Sequence, residues 1–269
     1  MITFPNAKIN LGLHVLSKRN DGFHEIESCL YPIPMLDALE MLPSKHFSFY
    51  HSGMDIPGSK SDNLILQAYE RLKMDFPKLP PVAVHLHKVI PMGAGLGGGS
   101  ADAAFALKLL NQLFELELDD EKLESYAIQL GSDCPFFIQN QPKLVSGRGE
   151  QMSPFAVDLK GIWLYLVHPN IHIGTKEAYA GVKPKFPGGE LKAILSEKEL
   201  WKNHLFNDFE ESVFKIHPQI GEIKRMYYKQ GAFYAAMSGS GSAVYGLFEE
   251  KPSGIYLEDG LFQFCKQMD

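Results

Sequence analysis

The stretch Pro91-Met92-Gly93-Ala94-Gly95-Leu96-Gly97-Gly98-Gly99-Ser100 carries five of the chain's 24 glycines within ten residues. An alternating run over residues 82 to 89 precedes it and predicts a strand; Ala103, Ala106, Leu107, Leu110 and Phe114 follow it on one face of a predicted helix. Glycine has no Cβ, so such a loop can lay its own backbone against an anion. The helix start then adds unpaired N–H groups and the positive end of a dipole. Ser100, at the expected helix start, reads as its cap. A flexible connector is the plainer reading, and the direct passage into a helical stripe argues against it.

Three better-known glycine motifs fail on context. Gly93, Gly95 and Gly98 satisfy G-x-G-x-x-G, but that fingerprint needs a second strand bearing an acid about 20 residues on. Here Glu115, Glu117, Asp119 and Asp120 fall in a connection between helices. The chain has no Gly-Lys dipeptide, which removes the P-loop, and neither His-Arg-Asp nor Asp-Phe-Gly, which removes the protein-kinase set.

Working outward, Ile9, Leu11, Leu13 and Val15 alternate with Lys8, Asn10, Gly12 and His14, which predicts a half-buried strand with a polar face. Arg19-Asn20-Asp21-Gly22 turns the chain into a second strand, residues 23 to 33. Asp62 or Asn63 caps a helix reaching about residue 74, and a further helix over about 120 to 130 ends at Gly131. Short strands are expected at 143 to 146 and 162 to 168, with Ser153-Pro154-Phe155 and Lys160-Gly161 between them as a domain joint. Helices are expected near 174 to 181, 189 to 201, 207 to 216 and 218 to 230. A hairpin, 232 to 237 and 243 to 249, turns on Ser238-Gly239-Ser240-Gly241. Hairpins mixed with crossover helices make the fold class α+β, in two domains, 1–154 and 155–269.

With 26 basic against 32 acidic side chains and a net charge of −6, the chain is not suited to coat nucleic acid. Cys29, Cys134 and Cys265 are scattered and odd in number, so neither a disulfide framework nor a cysteine-zinc site is expected. The first residues show no charged head before an apolar run, and no apolar stretch approaches ~20 residues, so no membrane segment is expected and the cytoplasm is the expected compartment.

Residues 91 to 100 resemble the phosphate-binding motif of the GHMP kinases. Ala7-Lys8-Ile9-Asn10-Leu11, Asp21-Gly22-Phe23-His24, Asp62-Asn63-Leu64, Leu130-Gly131-Ser132-Asp133-Cys134-Pro135-Phe136 and Met237-Ser238-Gly239-Ser240-Gly241 match the family in the same order, over nearly the whole chain. The resemblance implies an ATP-dependent kinase of small alcohols, with ATP as co-substrate, Mg2+, and an active site in the cleft between the two domains. It puts Asp133 and Lys8 side by side, the carboxylate taking a hydroxyl proton and the ammonium supporting the alkoxide. Read alone, Asp133 is a turn residue and Lys8 a solvated strand lysine.

The resemblance further assigns Asn63, Leu64, Pro91, Met92, Gly93, Ala94, Gly95, Leu96, Gly97, Gly98, Gly99, Ser100, Gly239 and Ser240 to ATP. It adds phosphate contact and Mg2+ ligation to the capping role of Ser100. A plain hairpin turn stays open for 238 to 242, and a simple helix cap for Asp62-Asn63. In the family branch matched most fully the substrate is a small molecule bearing cytidine diphosphate. Its base lies between two aromatic rings and is read by a histidine, which map to Phe23, Tyr179 and His24. Phe23 replaces a tyrosine, keeping the π face. Asn10 and Thr175 complete the substrate set, and Cys134 reads as a packing residue. The rivals are another alcohol kinase of the family, a decarboxylase sharing its fold, and a non-catalytic nucleotide sensor. Oligomeric state and the role of residues 190 to 202 are not legible.

Overall fold

A computed structural model describes residues 1–184, 190–253 and 260–268, the side chain of Lys60 aside. The elements run β1 (Ile2–Thr3), β2 (Asn6–Lys18), β3 (His24–Leu36), β4 (Ala38–Pro43), β5 (Ser48–Gly53), α1 (Leu64–Asp75), β6 (Val82–Lys88), α2 (Gly98–Leu113), α3 (Asp120–Ala127) and α4 (Phe136–Gln139). They continue with β7 (Lys143–Ser146), β8 (Gln151–Pro154), β9 (Trp163–His168), α5 (Thr175–Ala180), α6 (Leu191–Ser196), α7 (Lys198–His204), α8 (Glu210–Ile216), α9 (Pro218–Lys229), β10 (Tyr234–Met237), β11 (Val244–Phe248) and β12 (Phe262–Gln267). The α+β class expected from the pattern is what the chain adopts.

The contacts divide the chain into two units, differently from a single cut at 154. Unit 1 holds Met1–Lys8, Met35–Met92 and Gly97–Gln141; unit 2 holds Ile9–Pro34, Gly93–Leu96 and Pro142–Asp269. In unit 1 the sheet order is β1-β4-β6-β5, with β5 parallel to β6 and the other pairs antiparallel. Helix α2 packs on α1, α3, α4 and β4. Its stripe residues Ala103, Ala106, Leu107 and Leu110 are all fully buried, as the spacing predicts. Strands β4 and β5 were not legible in the pattern. β5 is a largely exposed edge and so shows no apolar alternation.

Unit 2 contains the sheet β10-β11-β9-β12 and nearly all of the sheet β2-β3-β7-β8. The expected spacer Ser153-Pro154 is instead the end of β8, paired antiparallel with β7, where an edge tolerates proline. The expected helix over 189 to 201 is two helices, α6 and α7, parted at Glu197 in extended backbone; residue 189 lies outside the described residues. Strand β12 escaped the pattern because its residues are mostly exposed and polar.

Strand β2 is buried from Asn6 to Val15 on both faces, so the half-buried strand with a wet polar face is corrected. At Asn10 both side chain and backbone find partners: the side-chain amide donates to Ser28 Oγ at 2.9 Å, and the main-chain carbonyl accepts from the Tyr245 hydroxyl at 2.6 Å. The segment 190 to 202 acquires a role from Trp201, which is fully buried with its ring edge-on to Tyr234 at 5.5 Å. Replacing Trp201 with alanine should cost ~3–5 kcal/mol of stability, measured by urea denaturation; an unchanged midpoint would show that the helix only drapes the surface.

Candidate active site

The glycine loop leaves β6 at Lys88 and enters α2 at Gly98. Gly93, Gly95 and Gly97 all lie in the left-handed region, at φ +66°, +78° and +70°. Gly97, not Ser100, occupies the N-cap position, and it offers no side-chain hydrogen bond. Ser100 is the third helical residue, which corrects its reading as the cap. With no capping side chain, the N–H groups of Gly98, Gly99 and Ser100 lie outside the helical ladder. An acceptor for them must come from elsewhere, which is what an anion cradle needs.

Within unit 2, residues 94 and 95 meet the 238 to 243 turn. Ser238 Oγ donates to the Gly95 carbonyl at 2.8 Å, and the Ala243 N–H donates to the Ala94 carbonyl at 3.1 Å. A Cβ on residue 95 would come within 1.9 Å of the Ser238 carbonyl oxygen, so only glycine fits. The turn is both the hairpin of β10 and β11 and a partner of the glycine loop. Asn207, which no spacing or motif signals, holds it by donating to the Met237 and Gly239 carbonyls, both at 2.8 Å.

Unit 1 gathers a second set. Lys8 Nζ lies 3.6 Å from Asp133 Oδ2; the lysine side chain is 5% exposed and the aspartate 35%, so only the carboxylate is open to a substrate. Burial pushes the Lys8 ammonium below its ordinary pKa, and the attraction of Asp133 opposes that shift. Asp133 is on the approach to α4, and a Cβ on Gly97 would press on Lys8 Cγ and Cε and on Phe137 Cζ at 3.0–3.2 Å. The Ser100 hydroxyl is in hydrogen-bond contact with Cys134. Burial drives the Cys134 thiol up to about 12, which suits a packing residue and not a nucleophile.

Beside this set is a cavity of about 710 Å³, walled by Phe47, Phe49, Asn63, Leu64, Met92 and Gly99. Of the two candidate caps for α1, Asn63 serves, its Oδ1 accepting from the Ile65 N–H at 2.9 Å; Asp62 accepts from Ser59 instead. Capping and cavity lining coexist in the one residue.

The remaining expected residues are in unit 2. His24 opens β3, and its ring stacks on Tyr179 of α5 with centroids 4.6 Å apart and planes 17° apart. Burial lowers the His24 pKa, with Lys18 adding to the effect, so the imidazole is neutral near pH 7. Thr175 is one turn before Tyr179. Phe23 is 54% exposed, and the Arg148 guanidinium rests over its ring at 4.9 Å, a partner that the motifs do not reveal. Asn10 spends its amide on Ser28, and its Oδ1 is 3.4 Å from where a Gly239 Cβ would be. Lys8, Asp133, Asn63, Leu64, Pro91, Met92 and Gly97 to Ser100 therefore fall in one unit, and Asn10, Phe23, His24, Gly93 to Leu96, Thr175, Tyr179, Gly239 and Ser240 in the other.

Family models match twice, the GHMP kinases N terminal domain over residues 63–141 and the GHMP kinases C terminal model over 191–262. A protein of Cytophaga hutchinsonii named 4-diphosphocytidyl-2-C-methyl-D-erythritol kinase is 52% identical over 267 residues, covering 98% of each chain. A namesake from Bacteroides fragilis is 51% identical over 276 residues, covering 100% of this chain and 99% of its own. The crystal structure of a 4-(cytidine 5'-diphospho)-2C-methyl-D-erythritol kinase superposes with TM-score 0.78 at 31% identity, over 92% of this chain and 90% of that one. The mevalonate kinase of Methanococcus jannaschii, at 14% identity and TM-score 0.68 over 100% of this chain and 98% of its own, shares the fold. An ATP-dependent kinase of the two-domain GHMP fold, the chain belongs to the 4-diphosphocytidyl-2-C-methyl-D-erythritol kinase family.

Proposed function

We propose that the chain transfers the γ-phosphoryl group of ATP to the 2-hydroxyl of 4-diphosphocytidyl-2-C-methyl-D-erythritol, in the non-mevalonate route to isoprenoid precursors. The observation that carries the mechanism is the Lys8–Asp133 pair, a buried ammonium 3.6 Å from a carboxylate that stays partly open. Asp133 takes the proton of the substrate hydroxyl, the freed oxygen attacks the γ-phosphorus, and ADP departs with the bridging oxygen. Lys8 stabilises charge on the attacking oxygen. The target is a crowded tertiary alcohol, so fixed placement of the base matters more than its strength.

The phosphates take the N–H groups at the start of α2, with residues 91 to 100 as the cradle and Gly239 and Ser240 as further contacts. Adenine takes the cavity beside Asn63 and Leu64, whose aromatic walls suit a base. Among the described residues no three His, Cys, Asp or Glu side chains gather as a metal cage. The oxygen donors near the helix start, Ser100 and Asp133, fit Mg2+ as a guest shared with the nucleotide phosphates. Ser100 would hold it, and when bound it would neutralise charge on the transferring phosphoryl group. The cytosine stacks on the aromatic set of Phe23 and Tyr179. Neutral His24 has one ring donor and one acceptor for the edge of the base, and Asn10 and Thr175 are the remaining substrate contacts. We assign 1–154 and 155–269 as the N- and C-terminal family domains, with the matched stretches on either side of residue 154. The three cysteines are free, in keeping with a cytoplasmic setting.

Coupled ADP release against alcohols with and without a cytidine diphosphate tests the substrate; turnover of homoserine or mevalonate in place of the cytidyl alcohol would overturn it. Asp133→Ala should lower kcat by ~10²–10⁴ while both KM values hold, since a base acts only in the reacting complex; a near-normal kcat would remove Asp133 from the role. Gly99→Val should fold, because the nearest atom to a Cβ there is Met92 Cε at 3.7 Å, yet raise the KM for ATP by filling the cradle. Tyr179→Ala should raise the KM of the cytidyl substrate roughly tenfold and leave that of ATP alone, as a lost stacking partner predicts; equal shifts in both would point to a structural role.

A further inference from the structure

Three ionisable side chains that the phosphoryl-transfer chemistry does not use meet inside unit 1. Lys88 Nζ is 2.5 Å from Asp37 Oδ2 and 2.7 Å from Asp102 Oδ2. All three residues are buried, at 1%, 0% and 3% exposure. Ions so deeply desolvated contribute little net stability, and apolar residues of the same volume often serve as well or better. Their positions along the chain are informative. Lys88 is the last residue of β6, directly before the glycine loop, and Asp102 is on the second turn of α2, directly after it. Asp37 Oδ1 accepts from the N–H groups of Val89 and Ile90, at 2.6 and 2.9 Å, which are the first two residues of the loop. The far oxygen of Asp102 has no hydrogen-bond partner, so Lys88 and Asp37 orient that carboxylate, and burial raises its pKa to about 7. The start of α2 is also close by, since a Cβ on Gly98 would come within 2.8 Å of Ile90 Cγ2 and 3.0 Å of Lys88 Nζ.

A loop with glycines at left-handed φ is soft, because glycine restrains its backbone least. A phosphate cradle needs the opposite: N–H groups already aimed before the ligand arrives. We propose that Asp37, Lys88 and Asp102 form an ionic clasp that joins the two ends of the glycine loop and pre-orients the N–H groups of residues 98 to 100 for ATP. Asp37 and Lys88 are positioning residues, acting on the nucleotide through the loop. Asp102 does so too but also lines the cavity read as the adenine site, so the reading free of direct contact is a raised KM for ATP in Asp37→Asn, since Asp37 does not line it. The proposal rests on the reading of that loop as the phosphate cradle.

Steady-state kinetics on the full chain test it. Asp102→Leu keeps the side-chain shape and removes the tie; it should raise the KM for ATP about tenfold while kcat and the KM of the alcohol stay near normal, the split expected of lost pre-organisation. Asp102→Asn keeps an oxygen for Lys88 and should restore the KM. The triple variant Asp37→Asn, Lys88→Met, Asp102→Leu leaves no buried charge in the cluster, so it keeps the test open if Asp102→Leu melts early, and it should share the raised KM. A purely structural cluster would lower the melting temperature without the KM split. Folded variants with normal ATP kinetics, or an asparagine variant as impaired as the leucine one, would overturn the clasp. If Gly99→Val raises the KM for ATP while the clasp variants do not, the cradle stands and the clasp falls. If Gly99→Val is silent as well, the cradle itself falls.

Discussion

Helix α2 begins on Gly97, a residue with no side chain to cap it, and much of unit 1 answers to that choice. Three backbone N–H groups at a half-buried helix end are costly unless something accepts from them. A serine or aspartate cap would satisfy one of them and block the approach of a ligand. Glycine at φ +70° leaves the end bare, and the room beside it is taken by the stem of Lys8 and the ring of Phe137. The same absence of side chains governs Gly95, where the loop backbone lies against the Ser238 carbonyl in unit 2. The net charge of −6 is no obstacle to an anion at such a place, because oriented backbone dipoles supply the positive potential locally.

Among the described residues, Lys8 and Lys88 are the buried lysines of unit 1, and their surroundings differ. Lys88 is enclosed by two carboxylates that are themselves buried, with only the Asp102 side chain slightly exposed, at 5%, at the edge of a cavity. Lys8 faces Asp133, a carboxylate that is a third exposed. Burial works against the charge of Lys8, and the attraction of Asp133 partly restores it. A pair balanced in that way, open on the acid side only, suits proton transfer from a hydroxyl. The neighbouring Cys134 thiol, held near 12 by burial, does not compete as a nucleophile.

The elements legible from sequence are those whose periodicity is set by one apolar face. The stripe of α2, the strands β6, β7 and β9, a cap at Asp62 or Asn63 and the hairpin of β10 and β11 all follow from local spacing and turn chemistry, and the structure settles the cap on Asn63. Strands β5, β8 and β12 escaped because edge or largely polar strands do not alternate cleanly. Strand β4 is an inner strand whose short alternation follows β3 after a single residue, with no turn signal to part the two. Among the candidate site residues, Gly93 to Ser100 announce themselves by composition. Asn207 and Arg148 do not, since an amide that holds a distant turn and a guanidinium over Phe23 leave no trace in local pattern.

The amino-acid sequence alone determines the α+β class and the glycine-rich stretch between β6 and α2, because each depends on spacing within a few turns or strands; the candidate site residues come from the resemblance of the motifs to the family. Tertiary structure alone decides which of those side chains meet. Lys8 and Asp133 are far apart in sequence, and the alternation of β2 makes Lys8 look solvated. Only the folded unit 1, which covers the polar face of that strand at Lys8 and brings the carboxylate to 3.6 Å, turns a surface lysine and a turn aspartate into a pair.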